Sequence, residues 1–180
     1  MTGSTLKIET ERLLIREWRP EDRPGLERLT GDTQMMRFIT GGEVWNADRN
    51  DGLVARQRAN LTATGLCMGP VLLRKTGEMI GVAGAQPLDR LQGCDLGWWI
   101  WREYWNQGLA TEAAAAVYGD AFERAGLNRV YAVIDPDNLS SRRVAEKLGM
   151  RLHGRCTADQ TASWRPAVDV LLYVAERATD

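Results

Sequence analysis

The chain has 180 residues, of which 44% are hydrophobic, with 23 basic and 24 acidic side chains and one histidine. This length and apolar content suffice for one packed core, so a single domain spanning residues 1–180 is expected. Because the charges nearly cancel, the broad basic face needed to bind nucleic acid is excluded, and any anion site must be local.

Residues 6–18 mix alternating apolar side chains (Leu6, Ile8, then Leu13, Ile15) with charges, which predicts one strand. Pro20-Glu21-Asp22 then opens a helix to about Leu29. Residues 46–63 are polar and helical in pattern, whereas 67–73 and 79–87 read as strands joined by a hairpin-sized turn at Lys75-Thr76-Gly77-Glu78. Residues 95–101 give the next strand. Leu109, Ala113, Val117 and Ala121 recur every four residues, marking an amphipathic helix that Gly126 ends. A strand over 129–135, a helix over 138–148 closed by Gly149, and strands over 150–155 and 168–174 complete the chain.

The first central strands are hairpin-connected, and the later ones are separated by helices. The fold class is therefore α+β (mixed α/β): a mixed, mostly antiparallel twisted sheet of about seven strands flanked by about four helices. Cys67, Cys94 and Cys156 are odd in number and widely spaced, so neither a disulfide framework nor a zinc site is expected. No apolar leader or membrane-length segment is visible, which predicts a cytoplasmic protein without a membrane partner.

The most informative stretch is Tyr104-Trp105-Asn106-Gln107-Gly108-Leu109-Ala110-Thr111-Glu112-Ala113, a glycine turn running into a helix. The first amides of such a helix have no intrahelical partner, and with the positive end of the dipole they favour an anion such as a pyrophosphate. Neither G-x-G-x-x-G nor G-x-x-x-x-G-K-[ST] occurs, which disfavours dinucleotide hydride transfer and ordinary nucleotide hydrolysis. A second constellation, Asp135-Pro136-Asp137-Asn138-Leu139-Ser140-Ser141, places capping residues where a strand ends and a helix starts. It continues to Glu146-Lys147-Leu148-Gly149-Met150.

Together with the opening Glu9-Thr10-Glu11-Arg12-Leu13-Leu14-Ile15-Arg16 and the strand Leu96-Gly97-Trp98-Trp99-Ile100, these segments resemble the Rim-type branch of the GNAT N-acetyltransferase superfamily. The resemblance covers nearly the whole chain, in order. It implies an acetyl-CoA site in a V-shaped cleft between the fourth and fifth strands. Backbone groups of Ile100 and Trp101 would pair with the pantetheine arm as a further strand. The amides of Gln107, Gly108, Leu109, Ala110 and Thr111 would hold the pyrophosphate, Asn138 would bond the pantetheine, and Ser141 would lie near the sulfur. Two positions depart from the superfamily pattern. Trp105 stands where the first motif usually begins with Arg or Gln, and Ala145 stands where a tyrosine often protonates the leaving thiolate.

The chemistry narrows the remaining roles. Acetyl transfer from a thioester needs a neutral amine, and an α-amine with a pKa of about 7.7–8.0 is a far easier acceptor than a lysine at about 10.4. Asp95 starts the strand leading to the glycine turn, where the resemblance implies an acidic residue, and is the first candidate base; His153, which titrates in the useful range, is the second. Ser141 is the candidate for assisting thiolate departure. Glu112, in the first turn of its helix, is assigned to the helix dipole. Trp98, Trp99, Trp101 and Trp105 are read mainly as packing residues. No Cys or Ser-His arrangement supports a covalent acyl-enzyme, so direct attack in a ternary complex is expected, with a protein N-terminus or a small amine as acceptor and a monomer or homodimer as the working form. The alternative is a catalytically silent acyl-CoA-binding regulatory module.

Overall fold

A computed structural model of the chain describes residues 5–177. Its strands are β1 (Lys7–Glu9), β2 (Leu13–Arg16), β3 (Met68–Leu73), β4 (Met79–Pro87), β5 (Cys94–Ile100), β6 (Arg129–Ile134), β7 (Arg151–Thr157) and β8 (Asp169–Glu176). Its helices are α1 (Arg23–Thr30), α2 (Thr33–Thr40), α3 (Ala47–Thr64), α4 (Leu109–Glu123) and α5 (Leu139–Lys147). The eight strands form one sheet in the order β1-β2-β3-β4-β5-β6-β8-β7. The α+β class and the mixed, mostly antiparallel sheet agree with the sequence reading.

Two expectations are corrected. The single strand expected over residues 6–18 is a hairpin, because Thr10 turns the chain: its N–H donates to the Leu13 carbonyl and its hydroxyl accepts from the Leu13 N–H, both at 2.9 Å. A fifth helix, α2, lies where none was expected. Asp32 caps it by accepting from the N–H groups of Gln34 (2.8 Å) and Met35 (3.3 Å), and Gly41 ends it in the left-handed conformation.

Leu13, Ile15, Val71, Ile80, Val82, Val117 and Val130 are fully buried, which puts the core where β2 to β6 meet the helices. Burial of this apolar set is the main favourable term in folding. What positions the site is the one parallel pairing. β5 and β6 are in register only at Cys94↔Val130 and Asp95↔Tyr131, although β5 runs on to Ile100 and β6 to Ile134. Beyond Asp95 the two strands part and leave a V-shaped opening.

Candidate active site

The cleft wall on the β5 side is built by alternation. Trp101 donates its N–H to the Ile80 carbonyl of β4 at 2.8 Å, so in an antiparallel ladder the backbone groups of Ile100 and Trp98 point away from β4, towards the opening. Trp105 folds back and donates its indole N–H to the Ile100 carbonyl at 2.6 Å, leaving the Ile100 N–H to face the cleft. The expectation for Trp101 is therefore corrected. Its N–H is used by β4 and its carbonyl accepts from Tyr104 at 2.9 Å, so the backbone groups facing the cleft are those of Trp98 and Ile100.

The cleft mouth is the start of α4. Gly108 caps the helix at φ 76°, a left-handed conformation that costs a β-carbon-bearing residue about 1–2 kcal/mol. The N–H groups of Gly108, Leu109, Ala110 and Thr111 have no hydrogen-bond partner among the described residues, and Gln107 and Gly108 are exposed. Four donors and the positive helix end thus converge on solvent at the open side of the V.

Arg12 completes this mouth. Its guanidinium donates to the Gln107 carbonyl at 2.9 Å and, through Nε, to the Glu112 carboxylate at 2.6 Å; its backbone N–H reaches the same carboxylate at 3.0 Å. The Thr10 hydroxyl donates to Glu112 at 2.5 Å. Burial pushes the Glu112 carboxyl up, but the bonds from Thr10 and Arg12 outweigh it and hold the group below its ordinary value. Glu112 is therefore a tie between the β1–β2 turn and α4 in addition to a dipole partner. Arg12 was missed as a site residue because the sequence offers only a charged residue at a strand edge.

Asp95 sits at the apex where β5 and β6 diverge, and it is 4% exposed. Its Oδ1 accepts from the Val133 N–H at 3.1 Å, which spans the first step of the splay, and its Oδ2 accepts from the Gln86 amide at 3.3 Å and from Arg165. Gln86 in turn accepts from Gln57 of α3 at 2.9 Å. A carboxylate has about four lone-pair positions, and three are filled here. Gln57, Gln86 and Arg165 were not anticipated, because contacts across 29 and 70 residues leave no periodic signal.

On the opposite wall, Asn138 caps α5 by accepting from the Ser141 N–H at 3.1 Å, and its side-chain amide N–H groups have no partner among the described residues. The half-buried Ser141 hydroxyl also has no partner among the described residues. Ala145 is fully buried. His153 lies on β7, the outer strand, with β8 between it and β6, so the structure removes it from the cleft and from the candidate bases. Trp98 and Trp101 are buried and Trp99 is half-buried against Trp45, as packing residues should be, whereas Trp105 is 46% exposed at the cleft. Burial pushes the Cys67 thiol up to about 12 and raises those of Cys94 and Cys156 as well. None of the three is a ready nucleophile.

An extended thioester ligand with a pyrophosphate fits these features: unpaired strand backbone along β5, then a cluster of unpaired helix amides at the mouth. The family profile of the Acetyltransferase (GNAT) domain matches residues 12–151. The uncharacterised N-acetyltransferase YnaD of Bacillus subtilis is 31% identical over 149 residues, 83% of this chain and 85% of its own length. Among solved structures, the acetyltransferase from Agrobacterium tumefaciens superposes with a TM-score of 0.79 at 25% identity, covering 98% of both chains. The RimL ribosomal L7/L12 α-N-protein acetyltransferase shares the fold, with a TM-score of 0.78 at 16% identity over 96% of this chain and 95% of its own. The chain with its splayed β5 and β6 thus belongs to the GNAT family of acetyltransferases, and its structural neighbours include the Rim-type enzymes.

Proposed function

We propose that the protein transfers an acetyl group from acetyl-CoA to a primary α-amine by direct attack in a ternary complex, and that residues 1–180 act as one catalytic domain. The observation that carries this reading is the V between β5 and β6 with unpartnered amides at its mouth. The Ile100 N–H would bond the pantetheine arm, the amides of Gly108 to Thr111 with Arg12 beside them would receive the pyrophosphate, and Asn138 would offer its amide from α5. Bound there, acetyl-CoA would supply an activated acyl carbon to the amine.

In the reaction the amine nitrogen forms the new bond to the acyl carbon, the carbon–sulfur bond breaks, the nitrogen loses one proton and the sulfur gains one. An α-amine is substantially neutral near pH 8, so it needs no strong base before it attacks. Asp95, hydrogen-bonded by Arg165 and the Val133 N–H, can accept the departing proton through its remaining lone pair, directly or by way of a water. Ser141, in the first turn of α5 and with a hydroxyl that has no partner among the described residues, would hydrogen-bond the departing sulfur. A cysteine acyl-enzyme is disfavoured by the raised thiols.

The test is a peptide bearing both a free N-terminus and a lysine, incubated with acetyl-CoA near neutral pH and sequenced by tandem mass spectrometry. Acetylation of the terminal nitrogen is expected. Modification of the lysine alone would overturn the α-amine assignment.

A further inference from the structure

The polar chain at the apex continues past Asp95 to a pair of cations. Gln86 and Asp95 are direct partners in the β4–β5 register and so share a face of the sheet, the one α3 covers through Gln57. On that face Arg165, from the β7–β8 loop, reaches Asp95, and Arg56, the residue next to Gln57 on α3, lies close by. Both guanidinium groups pack on the ring of Trp164, at 4.4 Å for Arg56 and 4.7 Å for Arg165.

This cluster holds two guanidinium groups and one paired carboxylate. Asp95 is the one carboxylate that pairs with either arginine among the described residues. Arg56 is half-buried, makes no hydrogen bond among the described residues, and is held below its ordinary proton affinity by burial and then by the charge of Arg165. The Nε–H groups of both arginines are buried without an acceptor. Buried donors without acceptors carry their full desolvation cost, and two like charges on one ring add repulsion. Trp164 is 40% exposed, and its ring carries both guanidinium groups close to solvent. Two planar guanidinium groups that share one paired carboxylate fit one ligand chemistry best, a further carboxylate.

We propose that the acceptor of this acetyltransferase carries a carboxylate near its reacting amine, and that Arg56 and Arg165 bind it against Trp164. The assignment rests on the acetyltransferase reading above. Arg165 touches the apex carboxylate, so an acceptor whose own carboxylate is held on this pair would have its amine within a few atoms of the apex. Two sources supply such an acceptor: a free amino acid, or a peptide with an acidic residue following its N-terminal one.

The experiment compares serine with serinamide, and the dipeptide amides Ser-Asp and Ser-Asn, in thiol release from acetyl-CoA, with kcat/KM corrected for the neutral-amine fraction. Calorimetry of the same four amines on the CoA-loaded protein gives binding without requiring transfer. The carboxylate member of at least one pair should be preferred on the order of tenfold, mainly through KM or Kd. Which pair shows the preference identifies the source. Arg56→Gln is the decisive variant, because Arg165→Gln would also disturb Asp95. In R56Q the ratio should fall towards one, in R56K part of it should return, and CoA should still protect both variants from thermal unfolding. Equal binding and equal kcat/KM within both pairs in the wild type would overturn the proposal. Tighter binding of a carboxylate amine without thiol release on any amine would instead uphold the site and overturn the enzymatic reading.

Discussion

Arg12 and Glu112 are bonded at 2.6 Å across 100 residues of sequence, and through them the β1–β2 turn is fastened to the first turn of α4. The same carboxylate accepts from Thr10 and from the Arg12 backbone, so one side chain fixes where the amides of the helix start point. Glu112→Ala should cost roughly 1–3 kcal/mol, the range for losing hydrogen bonds to a charged group, and should weaken CoA binding as Arg12 is released. Chemical denaturation with and without CoA measures both effects.

The pH dependence of that tie has a definite sign. The folded Glu112 carboxyl lies below its unfolded value of about 4.3, so the unfolded chain binds the proton more tightly. Its contribution is complete above that pH and is lost as the pH falls through the lower folded value. Wild-type stability should therefore drop more steeply than that of Glu112→Gln below about pH 4.3, and parallel curves would contradict the assignment.

Gly108→Val adds a branched side chain at φ 76°, where strain of about 1–2 kcal/mol is expected whatever space surrounds it. The substituted position also borders the unpartnered amides. The variant should fold with a modestly lower Tm and lose the stabilisation that CoA gives the wild type, about 2.7 kcal/mol at a hundredfold excess over Kd. Full protection of the variant would place the pyrophosphate elsewhere.

Asp95 and Arg165 form an almost buried ion pair, so removing one partner leaves a charge uncompensated. Asp95→Ala should destabilise by about 3–5 kcal/mol, and the double variant Asp95→Ala/Arg165→Met should be less destabilised than the two single effects added together. Asp95→Asn keeps an acceptor for the Val133 N–H but abolishes the proton acceptor. Its kcat should fall with little change in CoA binding, measured by turnover and by thermal protection with CoA.

The sheet and the elements that border the cleft were legible because their signals are local. Helix periodicity after Gly108, the Asn138 cap and the hairpin turn at Gly77 are each set within a few residues. The split of β1 from β2 had a signal that passed unread: apolar positions change phase between Ile8 and Leu13, which a continuous strand does not allow. The cap at Asp32 and the glycines at 41 and 42 announced α2 in the same way. Arg165 on Asp95, Gln57 on Gln86 and Arg12 on Glu112 are different in kind, since each joins segments that meet only in the folded sheet. Trp101 shows a further limit: the sequence places it at a strand end but does not tell which neighbour its backbone bonds.

Ser141 is separable from the binding groups. Its hydroxyl has no partner among the described residues while its N–H is capped by Asn138, so Ser141→Ala should change stability by less than about 0.5 kcal/mol. Loss of one hydrogen bond to a departing sulfur should slow turnover on the order of tenfold with CoA affinity nearly unchanged. An equal loss in binding would make Ser141 a binding residue instead.

The most direct measurement is release of free CoA thiol from acetyl-CoA, followed together with mass spectrometry of an α-amine acceptor panel. Thiol release matched mole for mole by acetylated amine, and abolished in Gly108→Val, is the predicted result. Thermal protection by acetyl-CoA with no thiol release on any amine would contradict it and leave a protein that binds the donor without using it.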